Sequence, residues 1–210
     1  MIQHLTNERS EISVMNGNGP VINECETCAV SKAYQIISRR PAQRAEKPFE
    51  HVYFDLIEFE RGFDGSQYVL YFTDDFTQMH WAYPISNKLQ LTLLAVIKFF
   101  VNMAERTYTS RIATFHTDQE HGIGNNIESW IQEIGIVFEY SARDTPEQNG
   151  SAECSGGVLE TKVHCIWIAA NIPEEMWPEC ILAATYLLNH ILMKQHNWKS
   201  PLEKLSIVLS

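Results

Sequence analysis

The spacing of apolar positions along this chain changes character at residue 49. Residues 1–24 carry little periodicity, and Asn16-Gly17-Asn18-Gly19-Pro20 is a turn or loop cluster. From Phe49 onward, apolar and aromatic runs recur at His51–Phe59, Tyr68–Thr73 and His80–Ile85, separated by Gly62, Gly65 and the polar pair Asp74-Asp75. Short runs bounded by turn residues predict three strands joined by tight turns. The period then lengthens: between Leu91 and Met103, residues Leu93, Leu94, Ile97, Phe100 and Val101 share one helical face. A fourth strand is expected over Arg111–Thr117, ending at Asp118, then a helix over Ile127–Ile134 and a fifth strand over Ile136–Tyr140. Beyond a loop from Asp144 to Gly150, one helical segment runs to about Ala170 and another over Pro173–Leu192. The order is β-β-β-α-β-α-β followed by helices.

Composition narrows the class. A chain of 210 residues, 45% hydrophobic and 20% charged, has the material for one core and falls outside the disordered and fibrous classes. No run approaches the roughly 18 apolar residues of a membrane span, and Met1-Ile2-Gln3-His4 begins no signal peptide, so an intracellular location without a membrane partner is expected. Five cysteines, one close pair (Cys25, Cys28) and three singles, suit a reducing compartment better than a disulfide framework. A net charge of −10, from 16 basic against 26 acidic residues, argues against nucleic-acid binding by bulk electrostatics. A site built of carboxylates adds negative charge yet recruits phosphate through metal ions, so that objection does not decide the matter. The segment from Ser31 to Lys47 holds Lys32, Arg39, Arg40, Arg44 and Lys47 and reads as a basic linker able to touch phosphates.

Three carboxylates fall where the predicted order brings elements together: Asp55 within the first strand, Asp118 at the end of the fourth, and Glu153 on the helix after the 144–150 loop. Hard cations such as Mg²⁺ take oxygen ligands in octahedral geometry, and a two-metal site clamps both the attacking and the leaving oxygen of a phosphoryl displacement. Three acids among 26 carry no such meaning by themselves, since most acids are solvated or cap a helix. Asp74 and Asp75 are expected to cap the hairpin, and Cys154, Cys165 and Cys180 to be helix residues without a metal role.

The surrounding motifs give the acids their weight. His116-Thr117-Asp118, followed by Thr145-Pro146-Glu147-Gln148-Asn149-Gly150-Ser151-Ala152-Glu153, resembles the integrase catalytic core of copia-type long-terminal-repeat retrotransposons. Phe72-Thr73-Asp74-Asp75-Phe76 with Trp81, Asn171-Ile172-Pro173, Met176-Trp177-Pro178 and Trp198-Lys199-Ser200-Pro201 extend the resemblance over residues 24–205. It implies a ribonuclease-H-like α/β fold, a five-stranded mixed sheet flanked by helices. It divides the chain into a zinc-module remnant and basic linker at 1–48, a catalytic core at 49–205 and a tail at 206–210. It also implies Mg²⁺ or Mn²⁺ held by Asp55, Asp118 and Glu153, 3′-end processing and strand transfer on DNA, assembly as a homo-oligomer, and action in the nucleus. Asp118 and Glu153 are separated by 34 residues, one fewer than the family's usual spacing, a difference that loop length absorbs.

Cys25-x-x-Cys28 resembles the second half of the family's His-His-Cys-Cys zinc module. Zinc takes four ligands and this pair supplies two, with His4 the only upstream histidine, so zinc is not expected in this chain. Asn149 is a candidate DNA contact, although Asn149-Gly150 also suits a plain turn, and Lys162 is the basic residue nearest Glu153. The chain departs from the pattern at Cys154, His164 and Trp167, where the family commonly has Arg, and at Tyr53, where it often has His. Single transitions in Arg or His codons produce each change, and positions 157, 160 and 164 on the face of Glu153 carry Gly, Glu and His. The alternative to an active integrase core is therefore a catalytically silent relic that keeps the fold and weak nucleic-acid or protein binding. A ribonuclease H proper shares the carboxylate chemistry but not the Thr-Pro-x-x-Asn-Gly-x-Ala-Glu motif.

Overall fold

The computed structural model describes residues 44–118, 124–141 and 146–209. Five strands, β1 (His51–Glu58), β2 (Tyr68–Asp74), β3 (His80–Ile85), β4 (Thr114–Asp118) and β5 (Val137–Ser141), form one sheet in the order β3-β2-β1-β4-β5. β1, β2 and β3 make an antiparallel meander, while β4 lies parallel to β1 and β5 parallel to β4. The helices are α1 (Gln90–Thr107), α2 (Asn125–Glu133), α3 (Pro146–Ala170), α4 (Trp177–His190) and α5 (Pro201–Leu209). This is the mixed five-stranded sheet with flanking helices expected of the ribonuclease-H-like architecture.

Strand alternation sends successive side chains to opposite faces, and each face has its own core. Val52 and Phe54 of β1, Leu70 and Phe72 of β2 and Phe115 of β4 pack against Leu93, Ile97 and Phe100 of α1 and Ile127 and Ile131 of α2. The centre of this layer is a stack of the Phe72 and Phe100 rings, centroids 4.0 Å apart. On the other face, Ile57, Val69, Tyr71 and Ala82 meet Leu159 and Val163 of α3 and Trp177, Ile181 and Ala184 of α4. The α1 stripe read from the sequence is the buried one, except that Leu94 is only partly buried.

Several boundaries moved; the helix expected over Pro173–Leu192 is a 3-10 turn at Glu174–Met176 followed by α4 from Trp177 to His190. β4 begins at Thr114, because Arg111 to Ala113 are a lead-in whose pairing starts with the Ala113 amide donating to the Phe49 carbonyl. α3 begins at Pro146, inside the expected 144–150 loop. Proline suits a first helical turn, where its missing N–H has no partner to lose and its φ is already helical, and here it outweighs the turn propensity of Asn149-Gly150. α5 extends to Leu209 and so takes in most of the segment assigned to a tail. Gly135, at φ +80, closes α2 in the left-handed conformation that glycine adopts most readily and turns the chain into β5.

Candidate active site

Two side chains on β1 and one on β4 fix which way each strand faces. Phe54 and Thr117 line a small apolar space on the α1 side together with Leu56, which leaves His51, Tyr53 and Asp55 of β1 and His116 of β4 on the α3 side. Two-residue alternation puts position 118 on the same face as His116. Parallel pairing sets Tyr53 opposite His116, where the β1–β4 ladder ends. Asp55 and Asp118 each lie two residues beyond that last pair, and the same register continued would bring them to adjacent strand positions roughly 4.8 Å apart.

Asp55 is half-buried, and its Oδ1 accepts the Leu56 amide at 2.8 Å. The side chains of Asp118 and Glu153 lie outside the described residues, so only their backbone positions enter the geometry. α3 covers the Asp55 face through Leu159 and Val163, and position 153 lies six residues before Leu159, about 9 Å along the helix axis. Positions 149, 153 and 157 follow at four-residue steps and share a side of α3, whereas position 162, nine residues past 153, is two and a half turns on and faces the opposite way. The structure therefore puts Asn149 with Glu153 and separates both from Lys162. Gly157, Glu160 and His164 are exposed, so the described part of that flank bears no lysine or arginine. Cys25 and Cys28 lie outside the described residues.

Next to Asp55 the face carries a cluster of which the sequence reading notes Tyr53 and His116 but not their partners His51 and Glu139. His51 Nδ1 and His116 Nε2 are 2.8 Å apart with their rings stacked, and His116 Nδ1 lies 3.4 Å from Glu139 Oε2 on β5. Tyr53 stacks on His116 at 4.9 Å between centroids. Burial holds the His116 imidazole below the ordinary histidine range against the pull of Glu139, and burial, reinforced by Asp75, pushes the Tyr53 phenol up to about 12. The available signal was spacing: His51-x-Tyr53-x-Asp55 and His116-x-Asp118 are every-second-residue runs leading into the two aspartates.

The donor types fit a hard divalent cation, since Asp and Glu supply carboxylate oxygens and the imidazoles beside Asp55 are paired with each other and with Glu139. Among the described residues, no group of three His, Cys, Asp or Glu side chains is gathered closely enough to hold a metal by itself. Asp74 is the hairpin-capping residue expected, with Oδ2 accepting the Thr77 amide at 2.8 Å, whereas the Asp75 carboxylate reaches away from the hairpin and accepts the Ala45 amide at 2.8 Å. Cys180 is a buried member of the second core and Cys165 is exposed. No described helix is long and apolar enough to cross a membrane.

No family model matches the chain. It is 28% identical over 198 residues to the retrovirus-related Pol polyprotein from transposon RE1 of Arabidopsis thaliana, covering 92% of this chain and 13% of that protein. It is 26% identical over 199 residues to the corresponding polyprotein from transposon RE2 of the same plant, covering 91% of this chain and 14% of that one. The chain thus spans about one-seventh of the length of the curated relatives it matches. In fold it is similar to the HTLV-2 integrase catalytic core domain, solved in complex with magnesium in a trimeric form. The TM-score is 0.58 at 12% identity, over 76% of this chain and 98% of that one.

Proposed function

We propose that this chain, whose sequence relatives are Pol polyproteins of copia-type transposons and whose fold is that of integrase catalytic cores, acts on DNA as an integrase core. It would trim the 3′ ends of an element and join them to target DNA. Asp55, Asp118 and Glu153 would hold Mg²⁺ or Mn²⁺. Bound there, a pair of such ions supplies Lewis acidity to the attacking and leaving oxygens of an in-line displacement. The observation that supports this reading is the parallel β1–β4 pairing, which sets Tyr53 opposite His116, two residues before Asp55 and Asp118 on their strands, on the side of the sheet that α3 covers.

Asn149, one turn before Glu153, would contact the DNA beside the reacting phosphate, while Lys162 on the far side of α3 would meet only a more distant phosphate. The partners are the element's ends, the target duplex and further copies of the chain, and the place of action is the nucleus. The acidic charge and the flank of Gly157, Glu160 and His164 favour weak DNA affinity, which keeps the catalytically silent relic as a second reading.

One experiment separates the two: incubation of labelled element-end DNA with Mn²⁺ or Mg²⁺, comparing the wild type with Asp55→Asn and Asp118→Asn. Metal-dependent cleavage or joining by the wild type and its loss in both variants is expected. Equal background products from all three would leave only the silent reading.

A further inference from the structure

The closing segment Trp198-Lys199-Ser200-Pro201 has no part in the carboxylate site, yet it presents an aromatic ring to solvent. Trp198 is 67% exposed, whereas Trp177 is buried and Trp81, Trp130 and Trp167 are half-buried. Its backbone sits at φ 61 and that of Asn197 at φ 54, two left-handed residues in a row. Asparagine tolerates that conformation, but a bulky aromatic residue adopts it only where its surroundings enforce it.

The enforcing contacts are those of a tight loop between α4 and α5. Met193 and Lys199 pair as an antiparallel bridge, the Met193 amide donating to the Lys199 carbonyl at 3.1 Å and the Trp198 amide to the Met193 carbonyl at 3.0 Å. Within the loop the Asn197 amide donates to the Lys194 carbonyl at 3.1 Å and the Lys199 amide to the His196 carbonyl at 3.2 Å. The buried His196 imidazole, with Nε2 3.0 Å from the Thr77 carbonyl, fastens the loop to the β2–β3 turn. A flat apolar ring is thus held in water by a bonded frame, and a stacked partner would recover the hydration cost of that exposure.

The charge around the ring is opposite to that of the chain. Between Ile191 and Lys204 there are three lysines and one acid, in a chain of net charge −10. Lys194 and Lys199 are exposed, and among the described residues no carboxylate lies within 4 Å of either. The acid is Glu203, whose Oε2 accepts the Ser200 amide at 2.8 Å. Lys204 is a different case: Asp75 shares its hollow and, with Asp74, offsets its charge. Lys194 and Lys199 are therefore the cations open to a ligand at Trp198.

We infer that the 193–199 loop binds an unpaired nucleotide of a single-stranded polynucleotide, the Trp198 indole stacking on its base and Lys194 and Lys199 meeting the adjacent phosphates. Every base has a π-face, so such stacking is tolerant of sequence. A duplex hides those faces in its own stack, whereas an unpaired strand offers them to a protruding ring. The inference needs no metal and stands apart from the carboxylate site. A strand of DNA or of RNA supplies the same chemistry.

The test is fluorescence anisotropy of labelled oligothymidylate, oligouridylate and blunt duplex DNA with the whole chain, in EDTA so that metal ions at the carboxylate site contribute nothing. Saturable binding of a single strand, tighter than that of the duplex, is expected. Trp198→Ala should weaken it about tenfold and Trp198→Phe much less. Lys194→Gln and Lys199→Gln should each reduce the slope of log affinity against log salt by about 0.7. The oligomer bound more tightly identifies DNA or RNA as the source. Trp198→Gly suits the left-handed backbone and replaces Trp198→Ala if that variant does not fold. Absence of saturable binding, a duplex bound as tightly as the single strand, or binding undiminished in both Trp198→Ala and Trp198→Gly would overturn the assignment. If those two variants instead lose self-association or binding to phosphatidylserine vesicles, with nucleic-acid affinity unchanged, the ring belongs to a protein or lipid contact and the assignment fails.

Discussion

The carboxylate of Asp74 accepts the backbone amide of Phe49 at 2.7 Å, tying the end of β2 to the residue that leads into β1. Phe49 is fully buried at φ 62, a left-handed conformation that costs a bulky side chain on the order of 1–3 kcal/mol and persists only where its surroundings enforce it. Asp74 Oδ2 meanwhile accepts the amide and hydroxyl of Thr77 at 2.8 and 2.5 Å. Removing the acceptor leaves three donors around an emptied, buried site. Asp74→Ala is therefore expected to destabilise the protein by about 2–4 kcal/mol in urea unfolding. Asp74→Asn should also destabilise, since its NH₂ must face one of those donors, and an unchanged midpoint in both variants would refute this role.

A single side chain fastens α4 to the edge of the sheet. The Asn189 amide accepts the His80 N–H and donates to the His80 carbonyl, both at 2.8 Å, in a buried setting. Asn189→Leu keeps the volume and removes both bonds, so a loss of about 2–4 kcal/mol is expected, with hydrogen exchange at the His80 amide rising more than at Phe72. Uniform protection across β2 and β3 would count against it.

Three histidines are held below the ordinary range chiefly by burial: His80, pushed down to about 4, together with His116 and His196. In each, the unfolded chain takes up a proton more readily than the folded one. The stability they confer is complete above about pH 6.5 and falls as the pH drops toward 4, by at most about 1.4 kcal/mol per pH unit for each group. Asp74 acts with the opposite sign, because burial raises its pKa and folding then gains as it protonates. The unfolding midpoint should therefore decline as the pH falls from 6.5 toward 4, with the protonation of Asp74 opposing the decline. A midpoint constant over this interval would contradict the buried neutral imidazoles.

The aromatic layer beneath α1 supplies a contrast between neighbours. Phe100 is fully buried against Phe72, whereas Phe99 is 60% exposed. Phe100→Ala should cost about 3–5 kcal/mol and Phe99→Ala well under 1 kcal/mol, both read from urea midpoints. Similar costs for the two would mean that α1 packs on a different face.

The sequence by itself determined which elements form. The apolar runs at His51–Phe59, Tyr68–Thr73 and His80–Ile85 marked the first three strands, and the helical stripe through Leu93, Ile97 and Phe100 named the buried side of α1. The motifs around Asp118 and Glu153 marked the candidate acids before any fold was known. What a period of two cannot specify is which strand lies alongside which, or in what register, since that depends on packing between residues far apart in the chain. Only the tertiary structure decided that β1 pairs parallel with β4 so that Tyr53 lies opposite His116, and that His51, His116 and Glu139 line up across three strands. It alone joined His196 to Thr77 and Lys204 to Phe76, contacts spanning 119 and 128 positions that no local pattern encodes.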